Sequence, residues 1–226
     1  MKRFLPLLLP LLLSACGQPL APAASSPSAD LDSYRAAAAS GSAVYTVDPA
    51  ASLVAVTVRR AGLAARLGHE HVVASHTLTG YAAPGAGRAD LSFRLDQMTV
   101  DEPQLLREAG IAAQPSPEAV EGTRRNMLGP VLDAQRYPLV LLHAERLADG
   151  RLRVAVTLHG VTRSLALPVK IEVSEAQLSA TGTARLKQTD FGITPFSVGA
   201  GLLSVGDEME VRYHIVARRS AMFRSQ

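Results

Sequence analysis

Between Val44 and about Arg219 apolar residues recur mostly at every second position, and that period decides what the chain can fold into. Val54, Val56 and Val58 alternate with polar or small residues, as do Leu91, Phe93 and Leu95. Leu152, Val154, Val156 and Leu158 repeat the pattern, and Leu165, Leu167, Val169, Ile171 and Val173 form the longest series. Leu178, Ala180, Gly182, Ala184 and Leu186 follow, then Met209, Val211, Tyr213 and Ile215. In a strand, residues two apart share a face, so this alternation predicts an antiparallel sheet with one apolar and one wet side. Ala148-Asp149-Gly150, His159-Gly160-Val161-Thr162 and Val205-Gly206-Asp207 supply turn chemistry between the strands.

One segment breaks the period. Ser116-Pro117-Glu118 offers an N-cap, a first-turn proline and an acid, and Val120, Met127, Leu128, Val131 and Leu132 then share a helical face up to Tyr137-Pro138. The expected fold class is mainly β: an antiparallel eight-stranded, lipocalin-like barrel with one inserted α-helix, since a sheet this long without a second layer must close or fold over, and an antiparallel barrel is the economical solution.

The ends of the chain read differently. Met1-Lys2-Arg3 is basic, Phe4 to Leu13 is apolar but too short to span a bilayer, and Leu13-Ser14-Ala15-Cys16 resembles a bacterial lipobox. Residues 1–15 are therefore expected to be a lipoprotein signal peptide, and Cys16 a lipidated first residue. Gly17 after it, in place of Asp, points to outer-membrane sorting with the domain facing the periplasm. Cys16 is the single cysteine, so no intramolecular disulfide can form. Residues 16–43, rich in Ala, Pro and Ser, read as a flexible tether in which Leu31 to Ala39 forms at most a marginal helix with little to bury. Residues 44–219 form the folded domain and 220–226 a C-terminal tail. Loss of Lys2 and Arg3 removes two of the three net positive charges, which leaves no electrostatic case for nucleic acid.

The row Ala180, Gly182 and Ala184 is small, and the chain has no Trp and five Phe, so aromatic rings do not fill the middle. Either an elongated apolar cavity lies there, or the small residues let a neighbouring element approach closely. Tyr45-Thr46-Val47-Asp48-Pro49, Arg136-Tyr137-Pro138, Leu158-His159-Gly160-Val161-Thr162-Arg163, Thr189-Asp190-Phe191-Gly192-Ile193 and Val205-Gly206-Asp207-Glu208-Met209 occur in order. Together they resemble the YceI family of exported polyisoprenoid-binding proteins, over about Val44 to Ala217. The resemblance implies a barrel whose lumen holds an isoprenoid such as a quinone or polyprenyl lipid, frequent dimers, and no catalytic residues. Ala51 stands where the family usually has His, and Leu142 where a Phe is expected, so the wall is smaller and more aliphatic here. The lumen residues expected from phase and resemblance are Val56, Leu91, Phe93, Leu95, Leu142, Val154, Val156, Leu167, Val169, Ala180, Gly182, Val211 and Tyr213.

Gly68-His69-Glu70-His71 admits three readings. His69 and His71 can be structural, can meet a lipid head group at the mouth, or can bind copper or zinc with His76 as third ligand. No nucleophile paired with a base and no phosphate loop appears, so no catalysis and no required cofactor are expected. The function expected is therefore non-catalytic carriage of a long isoprenoid lipid, with periplasmic metal binding as the alternative.

Overall fold

The computed structural model describes residues 31–223; Cys16, the signal segment, the first part of the tether and the last three residues of the tail lie outside them. The described chain is mainly antiparallel β-sheet with few helices. In chain order, α1 (Leu31–Ala39) precedes β1 (Tyr45–Val47), β2 (Leu53–Ala61), β3 (His71–Ser75), β4 (Thr79–Ala83), β5 (Arg88–Arg94) and β6 (Thr99–Val100). Helices α2 (Pro103–Glu108) and α3 (Pro117–Asn126) follow, then β7 (Leu139–Arg146), β8 (Leu152–Leu158), β9 (Val161–Leu167), β10 (Lys170–Val173), β11 (Gln177–Lys187), β12 (Ser197–Val198) and β13 (Leu203–Arg219).

The spine is β13. Along one edge it pairs with all of β11, from Gln177↔Arg218 to Lys187↔Glu208, and along the other with β2 and then β1. The pairing path runs β6-β3-β2-β13-β1-β4-β5-β7-β8-β9, with β10 joined through β11 and β12 through β13. Two corrections to the sequence reading follow. Among the described residues the sheet has 13 strands, not eight, and its ladder does not run round as a closed ring: β9 pairs there only with β8. The Leu165-to-Val173 series is not one strand either, because Pro168 divides β9 from β10. Proline has no amide hydrogen to donate, and a ladder that meets one in mid-strand is interrupted there.

Val205-Gly206-Asp207 is not a turn. β13 runs straight through it, and its register with β2 slips between Val205↔Arg60 and Met209↔Val58, which is a β-bulge. Asp207 accepts from the Thr189 backbone N–H (2.9 Å) and hydroxyl (2.7 Å), tying the bulge to the 3-10 turn Thr189–Phe191. By contrast His159-Gly160 is the two-residue hairpin expected, with φ of +53° and +74°. A Cβ on Gly160 would stand 2.6 Å from the Tyr137 ring, so both the turn and the packing need glycine there.

Among the described residues three α-helices, not one, lie against the sheet. The capped helix forms as expected, with Ser116 Oγ accepting from the Ala119 N–H (3.3 Å), and passes into a π-turn at Met127–Val131. Its Met127, Leu128, Val131 and Leu132 pack on the principal core. Helix α2 covers the outer side of β2 and β3, where Leu105, Leu106 and Ile111 meet Ala55, Val72 and Ala74. These strands are thus buried on both faces, and no wet side exists there. Helix α1 lies on β4, and it buries more than the sequence reading allowed. Tyr34 is 1% exposed; its hydroxyl donates to Asp90 Oδ2 (2.7 Å) and lies 3.1 Å from the Tyr81 carbonyl. Arg88 stacks over its ring and His143 Nδ1 holds the other Asp90 oxygen.

Candidate functional site

The inward residues of the strands enclose one apolar cavity of about 220 Å³. It is lined from β2, β5, β7, β8, β9, β11 and β13 alike, so the sheet wraps round it. Met127 and Leu132, on the π-turn and just after it, also reach its wall. Six alanines (Ala82, Ala89, Ala144, Ala180, Ala184 and Ala217) stand where larger side chains would fill the space, and Phe93 and Tyr213 are the two aromatic rings. No polar surface is exposed on the wall. Tight interiors leave few voids wider than a water molecule, so a space of this size is a feature of the fold.

The expected lumen residues come together here with one exception. Val56, Leu91, Phe93, Leu95, Leu142, Val154, Val156, Leu167, Val169, Ala180, Val211 and Tyr213 all line the cavity. Leu95 does so from the 3-10 turn Leu95–Gln97, not from a strand. Gly182 does not line it. It sits opposite Tyr213 in the β11–β13 register, and a Cβ on it would stand 2.3 Å from Tyr213 Oη. At this position the small residue makes room for a neighbour, which was the second of the two readings. Leu178, Leu186, Met209 and Ile215 also line the wall, and their alternation phase was sufficient to find them.

Tyr213 is the one phenol on this wall. Its hydroxyl oxygen is buried and has no hydrogen-bond partner. Burial pushes its pKa up, so the group stays a protonated donor at neutral pH.

Among the described residues the histidines do not gather round one point. His71 opens β3, and His76 follows the end of the same strand, five residues and about 16 Å further on. His71 Nδ1 donates to Asp101 Oδ2 (2.7 Å), while the other Asp101 oxygen accepts from the Val72 N–H (2.9 Å). His76 Nε2 meets Glu102 (2.8 Å), and the His69 and His71 ring centres are 6.4 Å apart and tilted. Glu70 turns instead to Arg59 (3.7 Å). Among the described residues no three His, Cys, Asp or Glu side chains converge as a metal requires. Neither His69 nor His71 is among the residues that line the cavity. What sequence reasoning missed is Asp101, a buried residue at φ +56° that closes the β3 end through His71 and Val72. Its 30-residue separation from His71 leaves no local signal.

A family model described as "YceI-like domain" matches residues 45–217. No curated protein matches the chain. Among solved structures, a polyisoprenoid binding domain from Saccharophagus degradans, implicated in plant cell wall breakdown, superposes with a TM-score of 0.56 at 12% identity, covering 78% of this chain and 98% of its own. BcnA of Burkholderia cenocepacia superposes with a TM-score of 0.51 at 16% identity, covering 76% of this chain and 99% of its own. At these identities the likeness is one of fold.

Proposed function

The chain belongs to the YceI-like domain family, and from that premise we propose that it binds one long isoprenoid lipid, of quinone or polyprenyl type, in its apolar cavity and carries it without chemical change. The observation that carries this reading is the wall itself: apolar from end to end and kept open by alanines. Left unfilled, a cavity of about 220 Å³ costs roughly 5 kcal/mol at ~24 cal/mol per Å³, which rivals the net stability of a domain. A branched hydrocarbon chain offsets that cost, gaining about 0.8 kcal/mol for each methylene withdrawn from water. No charged partner is needed. The Saccharophagus protein, described as polyisoprenoid binding, supports the same class of ligand.

In this reading the curled sheet acts as a lipocalin-like barrel, with the Pro168 step as the seam in its wall. Lipidation of Cys16 would hold it at the periplasmic face of the outer membrane. Organic extraction of the purified protein followed by mass spectrometry tests the ligand: an isoprenoid at near one per chain is expected. Absence of any lipid, together with no uptake of added quinone or polyprenol, overturns the proposal. Radiolabelled fatty acid should enter the wild-type chain and not Cys16→Ala; equal labelling removes the anchor.

A further inference from the structure

Among the described residues the two most exposed bulky apolar side chains belong to one short loop after β2: Leu63 is 95% exposed and Leu67 76%. Val198 and Leu202, each about half exposed, flank the neighbouring turn between β12 and β13. Loop and turn are pinned together. The Ala64 N–H donates to the Leu202 carbonyl (2.9 Å), and a Cβ on Gly62 would stand 2.6 Å from that same oxygen. Gly62 also sits at φ +93°, so the backbone and the close approach both require glycine. A 3-10 turn, Ala65–Leu67, stiffens the loop further. The four apolar side chains thus stand on one braced projection, beyond the end of the cavity. β2 and β13 still pair at Ala61↔Ser204, past Met209, the last residue of β13 to line the cavity in that direction. β1 meets β13 at Ala217, roughly 40 Å from Ser204 at about 3.3 Å per residue, so the projection and β1 mark opposite ends of the sheet.

Exposed apolar side chains gathered at one place mark a contact surface, and two features name what this one contacts. The first is shape. A side chain as exposed as Leu63 projects from its surroundings, and a bilayer's headgroup and acyl boundary closes round such a protrusion without needing a shaped pocket. The second is charge. From Ala61 to Gly68 and from Phe191 to Gly206 the sole charged residue is Arg66, and exposed Arg60 stands at the base of the loop. Neither arginine has an ion pair among the described residues. Of the carboxylates next along the chain, Glu70 is drawn to Arg59 and Asp207 to Thr189. A basic rim of this kind complements anionic lipid, and each arginine near such a surface strengthens binding about fivefold. We propose that this tip docks on an anionic lipid bilayer, with Leu63, Leu67, Val198 and Leu202 entering the acyl boundary and Arg60 and Arg66 meeting lipid phosphates. The proposal is independent of what the cavity holds, and it turns the Met209 end of the cavity toward the membrane.

The test uses the full chain with Cys16→Ala, which removes the single native thiol. A polarity-sensitive dye is then attached at Leu63→Cys or, as a control in the exposed β7–β8 turn at the opposite end of the sheet, at Ala148→Cys. With vesicles of phosphatidylcholine and phosphatidylglycerol in equal share, the dye at 63 should shift to the blue and be quenched by brominated acyl chains. The dye at 148 should not change. Because this readout is local, a membrane attachment elsewhere in the chain does not imitate it. Vesicles of phosphatidylcholine alone should be bound about tenfold more weakly or worse. Arg60→Gln with Arg66→Gln should weaken docking on the mixed vesicles about twenty- to thirty-fold. Leu67→Asp with Leu202→Asp should weaken it about a hundredfold or more. All four side chains are exposed, so these variants keep the fold, which circular dichroism checks. An unshifted dye at 63, or equal docking on both kinds of vesicle, overturns the proposal. A blue shift that appears without vesicles and grows with protein concentration makes the tip a contact between copies of this chain, and overturns it as well.

Discussion

Tyr34 of α1 and Tyr213 on the cavity wall both carry buried hydroxyls, and the pKa of each is raised, chiefly by desolvation. Their surroundings differ. Tyr34 finds an Asp90 carboxylate, a neighbouring carbonyl and a guanidinium over its ring, and the helix above it leaves no space. Tyr213 finds hydrocarbon and an open cavity. One phenol is thus bonded beneath a helix and the other is left without a hydrogen bond on the cavity wall.

The comparison can be broken in several places. The largest effect expected is on Tyr34→Ala, which empties a filled site and removes the clasp; chemical denaturation should show a loss of about 3–5 kcal/mol. The matched change on the other side, Ala184→Phe, adds volume to open space. It should leave stability nearly unchanged while cutting isoprenoid uptake by about tenfold or more, and a large stability loss would show that the cavity is not open. Next come the hydroxyls alone. Tyr34→Phe deprives Asp90 of a donor and should cost about 1–3 kcal/mol, whereas Tyr213→Phe in lipid-free protein should be neutral or slightly stabilising. Equal costs would erase the distinction.

A smaller effect lies in alkali. With the folded pKa of Tyr34 raised, its neutral form is favoured in the native state. Stability is fully present below the unfolded phenol value near about 10 and declines as pH climbs above it, because only the unfolded chain ionises freely. Equilibrium unfolding measured from about pH 9 to 11 should show a shallower decline for Tyr34→Phe than for wild type; parallel curves would remove the cause. Smallest of all is the acid side. The Thr189 backbone and hydroxyl bonds hold the Asp207 carboxyl below its usual range, so this contribution is present above about pH 4 and is lost as pH falls further. Asp207→Asn should blunt the acid dependence slightly, with full retention arguing that the bulge is held by the backbone alone.

The cavity wall was legible because alternation is a local signal: Val154 and Val156 share a face whatever lies opposite them. The phase of Leu178 and Met209 carried the same information. Gly182 was misread because its meaning depends on which residue faces it across β13, and register is set by pairing that local pattern does not encode. Pro168 stood in plain view within a periodic run, yet the hydrophobic phase continued through it and hid the break between β9 and β10. Tyr34 and His71 share another difficulty. Their partners, Asp90 and Asp101, lie 56 and 30 residues away, so an isolated tyrosine in an alanine-rich stretch and a histidine near a glycine gave no sign of what fixes them.

Helix α1 has a mechanical consequence. Tension arriving from the chain upstream of Leu31 meets α1, seated on β4 through Tyr34, Ala37 and Val44, before it reaches β1. The load is thus delivered to a packed aromatic and its bond to Asp90, not to the three-residue strand whose pairing with β13 helps close the wall. A pull from that side would have to strip the helix from β4 before it reached the strand.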